Sequence, residues 1–315
     1  MTLEPTPMTS STELEALRGL AFSKGHGTGN DFVLVSDPEG TTEISASAVA
    51  ALCDRHIGIG ADGLIRAVPS ALITEGQQLL ASNPAAQWFM DYRNGDGSIS
   101  EMCGNGVRVF VHFLTVQGLV ELAVGQSLTI GTRAGVREVV RTATGYAVDM
   151  GAWSFIAPDE ADAKGMDAMV TAHGLDVARP ALSVSMGNPH TVVALAENKE
   201  LEALELFTAP GVDPVPVAGT NVEFVVPAEP LVHDGVGHIS MRVFERGVGE
   251  TQSCGTGACA AATAIRYWAG DGAPDHWSVK VPGGVVAVKF FAVPGDSEHV
   301  ELSGPAVIVA SGTIA

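Results

Sequence analysis

Two short stretches of the 315-residue chain set a cysteine among glycines ahead of a helix-forming run: Cys103-Gly104-Asn105-Gly106 and Cys254-Gly255-Thr256-Gly257. A cysteine just before a helix sits where unpaired N–H groups and the positive end of the helix dipole converge. That environment is expected to lower the thiol pKa and supply a thiolate near neutral pH. The glycines let backbone N–H groups approach a ligand unobstructed, and such donors suit a carboxylate. One unit of this kind could be a nucleophile. Two facing units suit the removal and return of a weakly acidic Cα–H. One thiolate takes the proton from one face, the opposite thiol delivers a proton to the other, and the amides hold the charge that spreads into the carboxylate. The stereocentre inverts and no pyridoxal phosphate is needed. The five lysines, Lys24, Lys164, Lys199, Lys280 and Lys289, sit in no obvious cofactor motif.

The other two cysteines, Cys53 and Cys259, fall on an apolar helix face and inside an Ala-rich helix. Buried thiols of this kind act as small hydrophobes. Four cysteines are too few for a disulfide scaffold, and none stands in zinc-finger spacing. No metal is expected. A net charge of -19 opposes nucleic acid and anionic membranes as partners. With no apolar run near 18 residues and an acidic, polar start, neither a membrane span nor a signal peptide is expected. The default is a cytoplasmic protein.

The elements that must position these cysteines read as follows. Residues 1–20 look like a loosely attached extension. Strands are expected at Ala21–Lys24 and Phe32–Ser36, then a helix capped by Ser45 with Val49, Leu52 and Cys53 on one face. Residues 70–86 read as a polar loop. Trp88–Tyr92 is a strand ended by Asn94-Gly95-Asp96-Gly97, a strong turn signal. The helix after Cys103 has Val107, Phe110, Val111 and Leu114 at helical spacing and is apolar enough to be buried. The second half opens with strands around 181–194 and includes an Ala-rich helix starting near Gly257. There is also a weak internal repeat. Cys103 comes 73 residues after Asn30 of a Gly-Asn loop, and Cys254 comes 66 residues after Asn188 of another. The alternatives are two unrelated glycine turns or two similar domains, each supplying half of one site.

Four segments together resemble the diaminopimelate epimerases. They are Lys24–Phe32, Asn94–Ser98 with Cys103–Gly106, Ser185–His190, and Glu245–Thr251 with Cys254–Gly257. The resemblance runs from about Phe22 to the C-terminus. It implies an α/β (α+β) fold of two pseudo-symmetric domains, each a curved mixed sheet wrapped around a central helix, with the active site in the cleft between them. The domains would be 21–149 plus 304–315, and 150–303. The implied reaction interconverts LL- and meso-2,6-diaminopimelate, in lysine and peptidoglycan precursor synthesis, with no cofactor, by a homodimer. Cys103 and Cys254 would be the acid and base. The backbone amides of Gly104, Asn105, Gly255 and Thr256 would hold the reacting carboxylate. The side chains of Asn30, Asn94, Asn188, Asn221, Glu245 and Arg246 would bind substrate, and His190 would assist. One departure is Gly63, where some members carry a larger polar residue.

Taken singly, these residues have ordinary readings. Asn beside Gly is common in turns, Glu245-Arg246 fits a surface ion pair, and His190 fits a hydrogen-bonded histidine near the site. A proline racemase or hydroxyproline epimerase would share the cysteine pair but need a smaller apolar pocket. A non-catalytic amino-acid-binding or redox-sensing protein, or a metal-thiolate enzyme, are the readings from other classes.

Overall fold

The structure, a computed structural model, describes residues 13–315. They form two compact units. The first takes in the described residues up to Gly27, Asp31–Ala143 and Ala306–Ala315; the second is Thr28–Asn30 with Thr144–Pro305.

In the first unit, apolar and β-branched runs give β1 (Ala21–Gly27), β2 (Asn30–Ser36), β3 (Gly63–Pro69), β4 (Trp88–Asn94), β5 (Ser127–Thr132) and β6 (Gly135–Arg141). β1 lies beside β2, β2 runs parallel to β3, β3 antiparallel to β4, β4 parallel to β5, and β5 antiparallel to β6. The helices are α1 (Ala46–Cys53), α2 (Thr74–Ser82) and α3 (Gly104–Val116). As expected, Ser45 caps α1, its hydroxyl accepting from Ala48 N at 3.0 Å. α3 carries the apolar stripe read from the sequence, and Val107, Phe110, Val111 and Leu114 are all fully buried.

The second unit begins with β7 (Tyr146–Ala152), β8 (Ser154–Phe155), α4 (Pro158–Lys164), β9 (Ala168–Thr171), β10 (Arg179–Ser185), β11 (Pro189–Ala194), α5 (Asn198–Ala203) and β12 (Gly211–Asp213). It continues through β13 (Asn221–His233), β14 (Val236–Glu245), β15 (Gly249–Thr251), α6 (Gly255–Ala269), β16 (His276–Val281), β17 (Gly284–Ala292) and β18 (Glu298–Gly304). β11 runs parallel to β13, β13 antiparallel to β14, β14 parallel to β16, and β16 antiparallel to β17. This repeats the parallel–antiparallel–parallel–antiparallel order of β2 to β6, with α6 in the place of α3. The chain then returns to the first unit as β19 (Val307–Thr313), antiparallel to β1.

The curvature of the second sheet follows from its helix. α6 touches every strand from β10 through β11, β13, β14, β16 and β17 to β18. Seven paired strands would span about 29 Å if flat, against a helix about 10–12 Å wide. The sheet must therefore curl around α6. Its alanines make that possible: Ala258, Ala260, Ala261, Ala262 and Ala264 have no exposed surface.

Three findings differ from the sequence reading. Residues 70–86 are not a loop: Ser70–Leu72 is a 3-10 turn and α2 follows. A Cβ at Gly76 would lie 2.5 Å from Ser70 O, so glycine lets α2 sit directly on that turn. The crossover between units falls at Ala143/Thr144 rather than near Asp149, because β7 pairs with β18 from Gly304↔Tyr146 to His299↔Ala152. Residues 13–20 of the expected loose extension are packed. Leu17 is buried with Leu14 and Leu20 against the cluster of Val33, Leu52 and Ile314, and Gly19 N donates to Ile314 O at 2.9 Å. Residues 1–12 lie outside the described residues.

The start of β2 is fixed by charge. Lys24 Nζ lies 2.5 Å from Asp31 Oδ2, Arg55 grips both Asp31 oxygens, and Arg55 Nη2 reaches Asp62 Oδ1 at 2.7 Å. Burial alone would raise the Asp31 carboxyl, but the hydrogen bonds and charges of Arg55 and Lys24 hold it down at about 2. A carboxylate depressed on folding contributes stability above its unfolded pKa of about 3.9, and that contribution is lost as pH falls. Denaturant melts should therefore show stability dropping between about pH 4 and pH 2. Asp31→Asn should be less stable at neutral pH and flatter across that interval; a parallel pH dependence would remove Asp31 as the cause.

Candidate active site

In the first unit the strand–turn–helix passage β4 to α3 places Cys103. Asn94 closes the turn: Gly97 N donates to Asn94 O at 2.9 Å, and Asn94 Nδ2 donates to Ser98 Oγ at 3.0 Å. Cys103 is the N-cap of α3, extended at φ -139° and ψ 121°, and its side chain caps nothing. The helix's own ladder starts with Val107 N on Cys103 O, so the N–H groups of Gly104, Asn105 and Gly106 lie ahead of it. A Cβ at Gly106 would meet Met90, Ile65 and Phe32, so the glycine lets the turn sit hard on the core. Arg108 is fully buried one turn on and donates to Asn105 Oδ1 at 2.9 Å. The Asn105 side chain is thus turned into the helix, leaving its backbone amide as the group that suits a carboxylate.

In the second unit the same passage, β14 to α6, places Cys254, here nearly buried. As N-cap it does what Cys103 does not: Sγ accepts from Gly257 N at 3.4 Å and lies 3.5 Å from Thr256 Oγ1. Asn188 Nδ2 donates to Thr256 Oγ1 at 3.5 Å, and Asn188 Oδ1 lies 3.1 Å from His190 Nε2. His190 has no exposed surface, and its Nδ1 lies 2.7 Å from Glu223 Oε1, itself fully buried. Asn221 Oδ1 accepts from Arg246 N at 2.9 Å, while its Nδ2 donates to Pro189 O. Thr251 Oγ1 donates to Glu245 Oε1. The Arg246 guanidinium reaches outward and donates to Ala218 O.

Thr28–Asn30 belongs with this half-site rather than with the first. Thr28, at φ +52°, sets its hydroxyl 3.0 Å from Ser253 Oγ, next to Cys254. Gly29 and Gly283 make that approach possible, since a Cβ at Gly283 would lie 1.8 Å from Thr28 O. Asn30 follows, buried, at the start of β2.

The electrostatics amend the expectation of a lowered thiol at both helix starts. Burial pushes the Cys254 thiol well above its usual range, and the charges of Glu245 and Glu223 push it further; hydrogen bonds from Thr256 and Gly257 oppose this only in part. Cys254 rests as a thiol. Cys53, of the apolar helix face, is pushed up to about 12, chiefly by burial, as suits an inert core thiol. Among the described residues no group of three or more His, Cys, Asp or Glu could hold a metal, and no helix is long and apolar enough to cross a membrane.

The diaminopimelate epimerase family matches residues 22–156 and 182–309 of the sequence. The chain belongs to the diaminopimelate epimerase family. It is 44% identical over 301 residues to the diaminopimelate epimerase of Streptomyces coelicolor, covering 93% of this chain and 94% of that one. It is 45% identical over 307 residues to that of Rhodococcus jostii, covering 93% and 96%. Among solved structures, a Bacillus anthracis phenazine biosynthesis protein of the PhzF family shares the fold, with a TM-score of 0.65 at 18% identity over 94% of this chain and 98% of that one.

Within this epimerase fold the candidate residues divide between the units. Cys103, Gly104, Asn105 and Asn94 lie in the first. Cys254, Gly255, Thr256, Asn30, Asn188, His190, Asn221, Glu245 and Arg246 lie in the second. Gly63, the departure noted above, has no room for a side chain: a Cβ would lie 2.4 Å from Arg93 O and 2.6 Å from the Tyr92 ring. Thr28, Ser253, Thr251 and Glu223 were missed. Thr28 and Thr251 lie inside the segments Lys24–Phe32 and Glu245–Thr251 without being singled out there, and Glu223 left a signal of its own, a carboxylate inside the apolar strand Val222–Val226, where charge is rarely buried without a partner.

A side chain at Gly257 would enter this half-site, its Cβ 2.7 Å from Glu223 Oε1 and 3.3 Å from Cys254 Sγ. Gly257→Ala should displace the thiol and lower kcat about 100-fold, with circular dichroism unchanged. Near-native turnover in a Gly257→Ala epimerase assay would show that the thiol is not held there.

Proposed function

We propose that this chain interconverts LL- and meso-2,6-diaminopimelate by two-base chemistry, Cys103 acting on one face of the Cα and Cys254 on the other. The observation that carries the reading is the strand–cysteine–helix unit built twice on one repeated topology, in a chain that belongs to this family. A thiolate at Cys103 takes the Cα proton as the C–H bond breaks, and the electron pair spreads into the carboxylate. The first-turn amides of α3 and α6 stabilise that charge by dipoles fixed in advance. Cys254, which rests protonated, gives its proton to the opposite face. The two sulfurs exchange roles for the return direction, so no proton is gained or lost.

The distal end of the substrate is also an amino acid. Arg246 suits its carboxylate through a two-pronged hydrogen bond, and Glu245 with the amide oxygens of the asparagines suits its ammonium. Gripping the far end is how one Cα of two is selected. A proline or hydroxyproline substrate would leave those polar groups unused. The same reading carries a cytoplasmic location and a homodimer.

The test is NMR in deuterated water with purified protein, LL-diaminopimelate and no added cofactor. Loss of the Cα–H signal with appearance of the meso form is expected, abolished in Cys103→Ala and in Cys254→Ala. Exchange with proline or hydroxyproline alone would keep the mechanism and replace the substrate. No exchange with any of them would favour a binding or sensing protein.

A further inference from the structure

Glu223 has no part in the scheme just given, yet it is the carboxylate placed most deliberately in the second unit. It stands on β13 among Val222, Phe224 and Val225, with no surface exposed. One oxygen lies 2.7 Å from His190 Nδ1. The other, Oε2, has no hydrogen-bond partner among the described residues. A carboxylate held this way at the cost of an unsatisfied oxygen destabilises the fold, so packing alone does not account for it.

Its surroundings suggest what it does. Oε1 also lies against Gly257, close enough to exclude a Cβ there, and that same Cβ would touch Cys254 Sγ. On its other side His190 turns Nε2 to Asn188 Oδ1, and Asn188 Nδ2 turns to Thr256, beside Cys254. The contact between Nδ1 and Glu223 fixes which way the ring faces. A buried acid that orients an imidazole, which in turn orients the group at the reacting atom, is the logic of a catalytic triad.

We propose that Glu223 is a positioning residue for epimerisation: it locks His190, and through it the Asn188 amide, beside Cys254, and sets a fixed negative charge behind that thiol. The charged groups acting on Cys254 from the strands packed on α6 are Glu223 on β13 and Glu245 at the end of β14, with His190 of β11 on the far side of Glu223. Of the two carboxylates, Glu223 alone is fully buried, where charge is least screened. Its charge adds to burial and to the charge of Glu245 in holding the proton on Cys254. The proposal rests on the epimerisation reading for its meaning; its first test does not.

Glu223→Gln keeps an acceptor for His190 and removes the charge. The thiolate absorbance of Cys254 should be titrated in a Cys103→Ser protein, with the Cys103→Ser, Cys254→Ser protein subtracted. Adding Glu223→Gln should move the Cys254 midpoint down by about one pH unit or more. In the enzyme with both cysteines, the same substitution should move the alkaline limb of kcat/KM down by a similar amount. A midpoint and a limb that both stay in place would overturn the proposal. Should the variant not fold, nitrogen-15 NMR of His190 in the native protein decides: a proton on Nδ1 upholds the arrangement, and a bare Nδ1 overturns it. The titration needs no substrate, so a protein that turned over nothing would sink the epimerase reading and leave this result standing.

Discussion

A helix with buried sides has only its ends to offer, and its N-terminal end carries N–H groups that its own ladder cannot satisfy. α3 buries ten of its thirteen residues, and α6 buries ten of its fifteen. The sheets therefore have to close around the sides. Everything at the site follows from that requirement. The strand before each helix must arrive extended, so the N-cap residue is in β geometry at both Cys103 and Cys254. The first turn must be nearly free of side chains, so glycine recurs at 104, 106, 255 and 257. What remains is a donor-rich first turn headed by a sulfur, which suits an anion better than a neutral group.

Much of this was legible because it is local. The cysteine-glycine pairs, the apolar stripe of α3, the alanines of α6 and the Asn94–Gly97 turn each act over a few residues, and the sequence shows them directly. The repeat was legible only faintly, as two Gly-Asn loops at unequal distances from two cysteines. Its clearer form is the pairing order of β2 to β6 and β11 to β17, which no window of sequence displays. Other features depend on what lies opposite. α2 looked polar because its packing surface is small: Gly76 on Ser70 and Leu79 near Gly131. The Thr28 loop joins the second unit because two glycines, one 254 positions after the other, let backbone meet backbone.

The thiols illustrate how a local rule can be outweighed. A helix N-terminus lowers a thiol pKa by up to a few units when solvent can reach it. Cys254 has that position and the Gly257 N–H besides, but it is buried, and burial penalises the thiolate first. Two carboxylates then act in the same direction. The position in the chain was read correctly; the charges came from Glu223 on β13 and Glu245 on β14, and neither strand adjoins Cys254 in sequence.

That imbalance bears on how a two-base pair can work at all. Two like thiols at two like helix starts would titrate as a coupled unit, with neither assigned the proton. Catalysis by proton removal and return needs one of each at the start of every turnover. The likeness is broken first by burial, since Cys254 is buried and Cys103 only partly so, and then by the charges of Glu245 and Glu223. The strand of the first unit that corresponds to β13 is β3, and its residues Gly63–Pro69 include no acid. Glu223 on β13 is thus a carboxylate that the corresponding strand of the first unit lacks. An asymmetry built from a buried charge is set when the chain folds, before any substrate arrives.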